Sequence, residues 1–572
     1  MSARRPLAGA TSASTTDFPA GPGSTAFAGS SGSTPATTGV ADWFATPRNF
    51  YISLTVVALI VGALSLLVPS TPSYDPWSWL LWGHEIVHGS LTITTGGTSW
   101  KPLPMIFTIP FALFGRAAPD LWLVVARAGA FAAVVMVFRL SYRLTRQVGG
   151  LFGDADAQVG RLAVMAPALL AGAIGAVSLA LSASGGFVSS NTLGYSEGFA
   201  AALLLIAIER LLDGKPRQAF AVGFFVALDR PEIWLFWGAL GLWLLWKDPA
   251  ARVWVVGSAV LVVILWFVPV DLGCGSFSCS VSRAVHPRSN SLAFASSPFE
   301  AELSQAAWPT MLLRIKVVAA LLVIAVAVIL WREWRRGGTA ALATPANRAR
   351  LFTALMGIGG LAWFVVIAVM TQIGFSGNNR YLVLGSALVD ICAAVGYGWA
   401  ATELTALAAR RLRGRDRTGP SAAVAALRWA ATGVAALVFV IGPNWIGSNL
   451  VSIPRTHGSL VYQAHLRQGM TALVDQFGGA SKVLACGSVM TEGFQVPMVA
   501  WILNVPTTRI QAPPTNGGAK YAEPGSAAPN VILQTRDTRS ASLLPLLSTW
   551  PSVRFHYVGT ISPIHMFTNC AS

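Results

Sequence analysis

Charge is scarce in this chain. Asp, Glu, Lys and Arg make up 11% of its 572 residues, where a soluble globular protein carries about 25%. Acids are the scarcer sign, 24 against 40 Lys and Arg, which leaves a net charge of +16. Length alone would allow several soluble domains. The apolar runs exclude that reading, because many are long enough to cross a bilayer, which takes about 20 residues. The basic excess therefore belongs to short cytoplasmic loops of a membrane protein rather than to a nucleic-acid surface, and no nucleic-acid partner is expected. No short-period repeat is visible, nor an early signal-peptide pattern. The G-x-G-x-x-G spacing of dinucleotide sites is missing too. Cysteine is rare, with five residues. Cys392 lies inside an apolar run and reads as core. Cys274 and Cys279 fall in a segment placed outside the membrane, where a disulfide is expected between them; Cys486 and Cys570 form a second, less defined pair.

What is present is a row of apolar segments. Residues 1–45 are rich in Ser, Thr, Gly, Ala and Pro and read as a disordered cytoplasmic tail, since such a composition cannot build a core. The first apolar run, from Phe50 to Pro69, reads as an uncleaved signal anchor. Eleven spans follow from the pattern: 50–69, 120–140, 160–182, 197–213, 218–229, 232–247, 252–270, 310–331, 351–371, 381–400 and 424–442. With the N-terminus in the cytoplasm, the basic clusters Arg139–Arg146, Arg210–Arg217, Lys247 with Arg252, Arg332–Arg350 and Arg410–Arg417 all land on the cytoplasmic side, as positive residues should. The apolar stretch from Pro104 to Gly115 is short and contains two prolines. It reads as a helix lying in the outer interface. The stretch from Gln218 to Trp246, broken by "LDRPEIW", reads as a hairpin of two short helices with Asp229, Arg230 and Glu232 at an outward cavity. The chain thus divides into a tail, a helical membrane domain at 46–443 and an extracytoplasmic domain at 444–572. In that last domain "KVLACG", "NVILQT" and "VRFHYVG" read as strands alternating with helical pieces, which makes a small α/β unit. Gly487, taken as following a strand, invites comparison with a nucleotide-binding turn, though the fingerprint is absent.

The first outer loop, "SYDPWSWLLWGHEIVHGSLTITTGGTSWKPLPM", concentrates polar chemistry in an otherwise apolar chain. Asp75 before Pro76 reads as a helix N-cap and equally as a general base at the membrane surface. His84 and His88 are four apart on one helix face, a spacing that suits either a metal ion or two histidines turned to water. A divalent cation held by Asp75 or Glu85 is the alternative metal site, and no cofactor is assigned. Lys101 reads as a snorkelling lysine or as a point charge for a lipid phosphate. Arg230 and Arg380 are further cations beside apolar spans, where an unpaired charge is costly. Arg230 has neighbouring acids to pair with, whereas Arg380, in "GNNRYL", has none beside it in sequence. Asn378 and Asn379 could hydrogen-bond a sugar. Tyr195 and Glu197 enter a span from the same side, as Glu232 does. Asp390 lies mid-span and carries no assigned role.

With one Asp in the first outer loop, two juxtamembrane helices and "KPLP" before the second, the chain resembles integral-membrane glycosyltransferases of the GT-C fold. Its nearest likeness is the protein-mannosyltransferase and aminoarabinose-transferase-like branch. That branch often reads Lys-Pro-Pro-Leu where this chain reads "KPLP", and many members carry two adjacent acids where this chain has Asp75 and Pro76. "RPEIW" is also similar to that branch. The resemblance implies a polyprenyl-phosphate sugar donor seated among membrane lipid. The abundance of Ala, Gly and Trp fits a high-GC bacterium, from which a cell-envelope glycan or lipoglycan acceptor follows. The resemblance also implies Asp75 as base, Lys101 on the donor phosphate, Arg230 and Arg380 as further phosphate or sugar contacts, and a single displacement with inversion. Two readings without chemistry stand beside it: a flippase for lipid-linked sugars, and an assembly partner that binds glycan.

Overall fold

The computed structural model describes residues 46–93, 98–148, 161–181, 186–279, 285, 291–307, 313–413, 421–441, 445–513, 527–535, 550 and 552–570. The expected tail at 1–45 lies outside the described residues, as do Arg415 and Arg417. The chain divides into two units, Met1–Ser53 and Leu54–Ser572. The described part of the first is the opening of the helix Pro47–Leu64. The second holds both the helix bundle and a C-terminal sheet.

Among the described residues, eight helices are long and apolar enough to cross a membrane. They fall on eight of the eleven expected spans, and the chain is a multi-pass helical membrane protein with a small C-terminal α/β domain. The other three spans are helices of 16, 12 and 14 residues, Glu197–Leu212, Pro216–Ala227 and Trp234–Lys247. The break between the last two falls at Leu228–Arg230, where Pro231 opens a short 3-10 turn. Proline has no N–H to continue the first helix, and its fixed φ suits the start of the next. The stretch after Lys101 is a separate helix, Pro102–Phe111, followed by a 3-10 segment with Gly115 at φ 52°. That left-handed backbone, open to glycine, turns the chain into the long helix Ala118–Val148.

The helix Val383–Arg413 is the axis of the bundle, buried over 94% of its apolar window. It packs on the helices Ala118–Val148, Arg161–Ala180, Leu313–Leu342, Pro345–Gln372 and Ser421–Val440. Its contact with Pro345–Gln372 is close because Gly360 and Gly385 face each other: a Cβ on Gly385 would sit 2.9 Å from the Gly360 carbonyl oxygen. Small residues are what let membrane helices approach this far, since apolar side chains gain little by leaving lipid. The helices Arg252–Cys274 and Leu313–Leu342 show the opposite pattern. Val253, Leu261, Leu321 and Ile324 are exposed, as a lipid-facing surface requires.

The C-terminal domain is a five-stranded sheet with order β2-β1-β3-β5-β4: β1 Val489–Thr491, β2 Ile510–Gln511, β3 Val531–Thr535, β4 His556–Ile561 and β5 Ile564–Thr568. β1 lies parallel to β2 and β3, and β5 runs antiparallel to β3 and β4. "NVILQT" and "VRFHYVG" supply β3 and β4 as expected. "KVLACG" does not form a strand; Ala480–Cys486 is a helix. Gly487 therefore precedes β1 instead of following a strand, which removes the geometry of a nucleotide-binding turn. Cys274 bonds Cys279 and Cys486 bonds Cys570, while Cys392 is free and buried.

Candidate functional site

The helix Tyr74–Val87 begins two residues before the position expected. Ser73 is its N-cap and Asp75 stands in the first turn, so Asp75 is not the cap. The Ser73 N–H donates to the Leu193 carbonyl at 2.9 Å and its hydroxyl meets the Tyr195 hydroxyl at 3.1 Å. This ties the helix start to the turn before Glu197. Lys101 caps the next helix in extended backbone, with Pro102 at its first position. The Leu103 N–H donates to the Leu228 carbonyl at 3.0 Å, which joins Lys101 to the 228–232 break. The loop carrying Asn378 and Arg380 is held by Ser291, whose hydroxyl donates to the Ser376 carbonyl at 2.7 Å.

These anchors bring four carboxylates and three cations together. Arg380 donates to Asp75 Oδ2 at 2.6 Å and lies 3.2 Å from Glu197 Oε1. Arg230 donates to the same Glu197 oxygen and lies 3.8 Å from Asp229 and 3.6 Å from Glu232. Lys101 Nζ donates to the Ser196 hydroxyl at 3.0 Å and stands 3.8 Å from Glu197 and 3.5 Å from Asp229. Glu197 and Asp229 are fully buried and Arg230 is nearly so. Buried charges persist only when paired, and here every charge has a partner. Arg380, which has no acid beside it in sequence, finds two across the fold. The formal sum is −1.

Aromatic rings complete the cations' surroundings. The Arg380 guanidinium lies 4.0 Å from the Tyr195 ring centre, and Arg230 lies 4.4 Å from that of Tyr381, distances at which a cation is attracted to the ring face. Burial pushes the Tyr195 hydroxyl up to about 12, so it stays protonated. Asp75 is oriented from a second side: the Thr98 hydroxyl donates to Asp75 Oδ1 at 3.2 Å and itself accepts from Ser78 at 3.0 Å.

The groups line a cavity of about 560 Å³ whose walls include Asp75, Lys101, Tyr195, Asp229, Arg230, Glu232, Asn378 and Arg380. The size suits a small organic ligand, for which about 300–1,000 Å³ is usual. Glu197, buried behind the cations, is not among the lining residues, nor are Glu85 and Asn379. Ten residues of helix put Glu85 about 15 Å along the axis from Asp75 and on another face; its carboxylate accepts from the Thr92 N–H at 2.8 Å instead. Asn378 turns its amide to Ser376 at 2.9 Å and Tyr381 at 3.3 Å. His84 and His88 stack at 4.2 Å between centres, away from the cavity lining. Among the described residues no group of three His, Cys, Asp or Glu is arranged to hold a metal ion.

Four contributors carry no role in the sequence reading. Thr98, Ser196 and Tyr381 each sit within three residues of an assigned one, so proximity is their signal. Phe494, from the C-terminal domain, lines the cavity from more than 400 residues beyond Asp75, and no local pattern marks it.

The fold and the site together define a multi-pass helical membrane protein with a charge-lined cavity where several helices end. No family model matches the chain, and no curated protein does. Among solved structures it is similar to ArnT from Cupriavidus metallidurans. A crystal structure of that protein bound to undecaprenyl phosphate shares 15% identity, with 92% of this chain and 99% of that one covered and a TM-score of 0.45. Its apo state gives 15%, 92%, 98% and 0.46.

Proposed function

We propose that the protein is a membrane glycosyltransferase that moves a sugar from a polyprenyl-phosphate donor to a cell-envelope glycan. In this reading the cavity opens on the extracytoplasmic side, the N-terminus is cytoplasmic and the C-terminal domain lies outside. The observation that carries it is the convergence, in one cavity, of a doubly oriented carboxylate with three cations. Such a site has both groups the reaction needs, a proton acceptor and cover for a phosphate. Asp75 takes the proton of the acceptor hydroxyl as that oxygen attacks the anomeric carbon. The bond from that carbon to the phosphate oxygen breaks, and the polyprenyl phosphate leaves with the electron pair. Lys101, Arg230 and Arg380 stabilise the charge that grows on it. One displacement inverts the anomeric centre.

The carboxylates Glu197, Asp229 and Glu232 hold the cations in place before a phosphate arrives. The test is transfer by purified protein from a radiolabelled polyprenyl-phosphate sugar to a glycan acceptor, with Asp75→Asn in parallel. Loss of the general base lowers turnover about 10²–10⁴-fold. Equal transfer by both proteins removes Asp75 from the role, and lipid scrambling without transfer favours a flippase.

A further inference from the structure

Among the described residues, the C-terminal domain reaches the cavity through one, Phe494. β1 ends at Thr491 and the chain turns through Glu492, Gly493, Phe494 and Gln495 before the helix Val496–Leu503. Loops at the carboxyl ends of parallel strands are where α/β sheets present ligand-contacting residues, and β1 is flanked on both sides by parallel strands. The turn is braced. Glu492 accepts from the Thr535 N–H at 2.6 Å and from its hydroxyl at 2.5 Å, and its other oxygen accepts from Gln495 at 2.8 Å. The domain is also seated firmly beside the catalytic stretch. Trp501 packs on Trp77 with centres 6.0 Å apart. Arg467 covers the Trp77 ring at 5.2 Å and pairs with Asp120 at 3.5 Å.

Held this way, Phe494 keeps 47% of its surface exposed while lining the cavity. Its ring meets the Tyr74 ring edge-on, with centres 6.0 Å apart. Tyr74 is the residue next to Asp75. An acceptor hydroxyl placed within about 3 Å of the Asp75 carboxylate leaves the remainder of its ring inside the cavity that Tyr74 and Phe494 also line. A sugar ring has an apolar C–H face, and an aromatic ring is the surface that covers such a face without demanding hydrogen bonds.

We propose that Phe494, with Tyr74, forms the acceptor subsite and binds the apolar face of the sugar that is glycosylated. The proposal rests on the glycosyltransferase reading and adds a specificity determinant supplied by the C-terminal domain. That domain then selects the acceptor, while the helix bundle holds the donor phosphate.

The test uses full-length protein in lipid nanodiscs and a panel of octyl glycosides of mannose, glucose, galactose and arabinose. Transfer is measured with acceptor and donor varied separately, and binding of each glycoside is measured in parallel by calorimetry. Phe494→Ala raises the acceptor KM and Kd about tenfold, the worth of one aromatic face, and leaves the donor KM unchanged. Phe494→Trp keeps the wild-type acceptor KM. Phe494→Leu, which fills the space without a π face, follows Ala. An unchanged acceptor KM in Phe494→Ala or Phe494→Leu overturns the proposal, as does a wild-type protein that binds no glycoside of the panel. Wild-type binding that weakens in Phe494→Ala, in a protein that transfers no sugar, keeps the subsite and sinks the transferase reading instead.

Discussion

Glu197→Gln keeps the shape of a fully buried side chain and deletes its charge. Glu197 is the shared partner of the site: Arg230 and Arg380 both reach its Oε1, and Lys101 stands 3.8 Å away. Removing one member of a buried ion pair costs about 3–5 kcal/mol, because the partner charge stays buried without compensation. Here Asp75, Asp229 and Glu232 remain to share the cations, so the cost falls at the lower end, about 3 kcal/mol. Urea unfolding in detergent, followed by tryptophan fluorescence, measures it. The same variant raises the formal charge of the cavity from −1 to 0. Added polyprenyl phosphate should therefore stabilise Glu197→Gln more than it stabilises the wild type. A stability within about 1 kcal/mol of wild type, which is what an exposed pair is worth, would refute the claim that the site is a buried, mutually compensated cluster.

Burial lifts the Glu85 carboxyl from 4.5 to about 7, against the opposing hydrogen bond from Thr92. The folded protein then holds a proton that the unfolded chain has lost, so stability falls as pH rises from about 4.5 to 7 and is level outside that window. Glu85→Gln should flatten this slope and raise stability at pH 8 by about 2–3 kcal/mol; an unchanged slope in the same urea titration disproves the assignment. The Cys486–Cys570 bond closes a stretch of sequence separation 84, so replacing both cysteines by serine should cost the C-terminal domain about 4.5 kcal/mol by loop-closure entropy, read from urea unfolding of the two proteins. Arg335→Cys, in protein that also carries Cys392→Ala and keeps both disulfides, should react with an impermeant maleimide only from the cytoplasm. Labelling from outside would invert the proposed topology.

The helices are legible because hydropathy and length decide them locally. The helix at 345–372 is expected at 351–371, and the hairpin at "LDRPEIW", because lipid tolerates few alternatives to a helix. "KVLACG" reads as a strand and folds as a helix because its four apolar residues, Val483 to Cys486, are too short a run to separate the two periods. The cap falls at Ser73 instead of Asp75 because both residues suit an N-terminus, and the Leu193 carbonyl that fixes Ser73 is distant in sequence. The site is legible as a set of residues and not as a circuit. Asp75, Lys101, Arg230 and Arg380 can each be named from its own neighbourhood. The pairing of Arg380 with Asp75 spans 305 residues, and Glu197 as the common partner exists only once four segments meet. Phe494 has no signal, because an aromatic residue in a turn reads the same whether it faces solvent or a cavity.

The helix Glu197–Leu212 runs between two knots of charge. At one end is Glu197; at the other Glu209 accepts from Arg139 at 2.8 Å and Arg143 at 3.1 Å, and Asp213 pairs with Arg210 at 2.7 Å. Sixteen residues of helix measure about 24 Å, less than the roughly 30 Å of a bilayer's hydrocarbon. Ions tied at both tips of so short a rod stand closer together than the two faces of a bilayer's hydrocarbon. In the proposed transferase, a lipid-borne phosphate would then come down to the cations below headgroup level, its chain still among its neighbours.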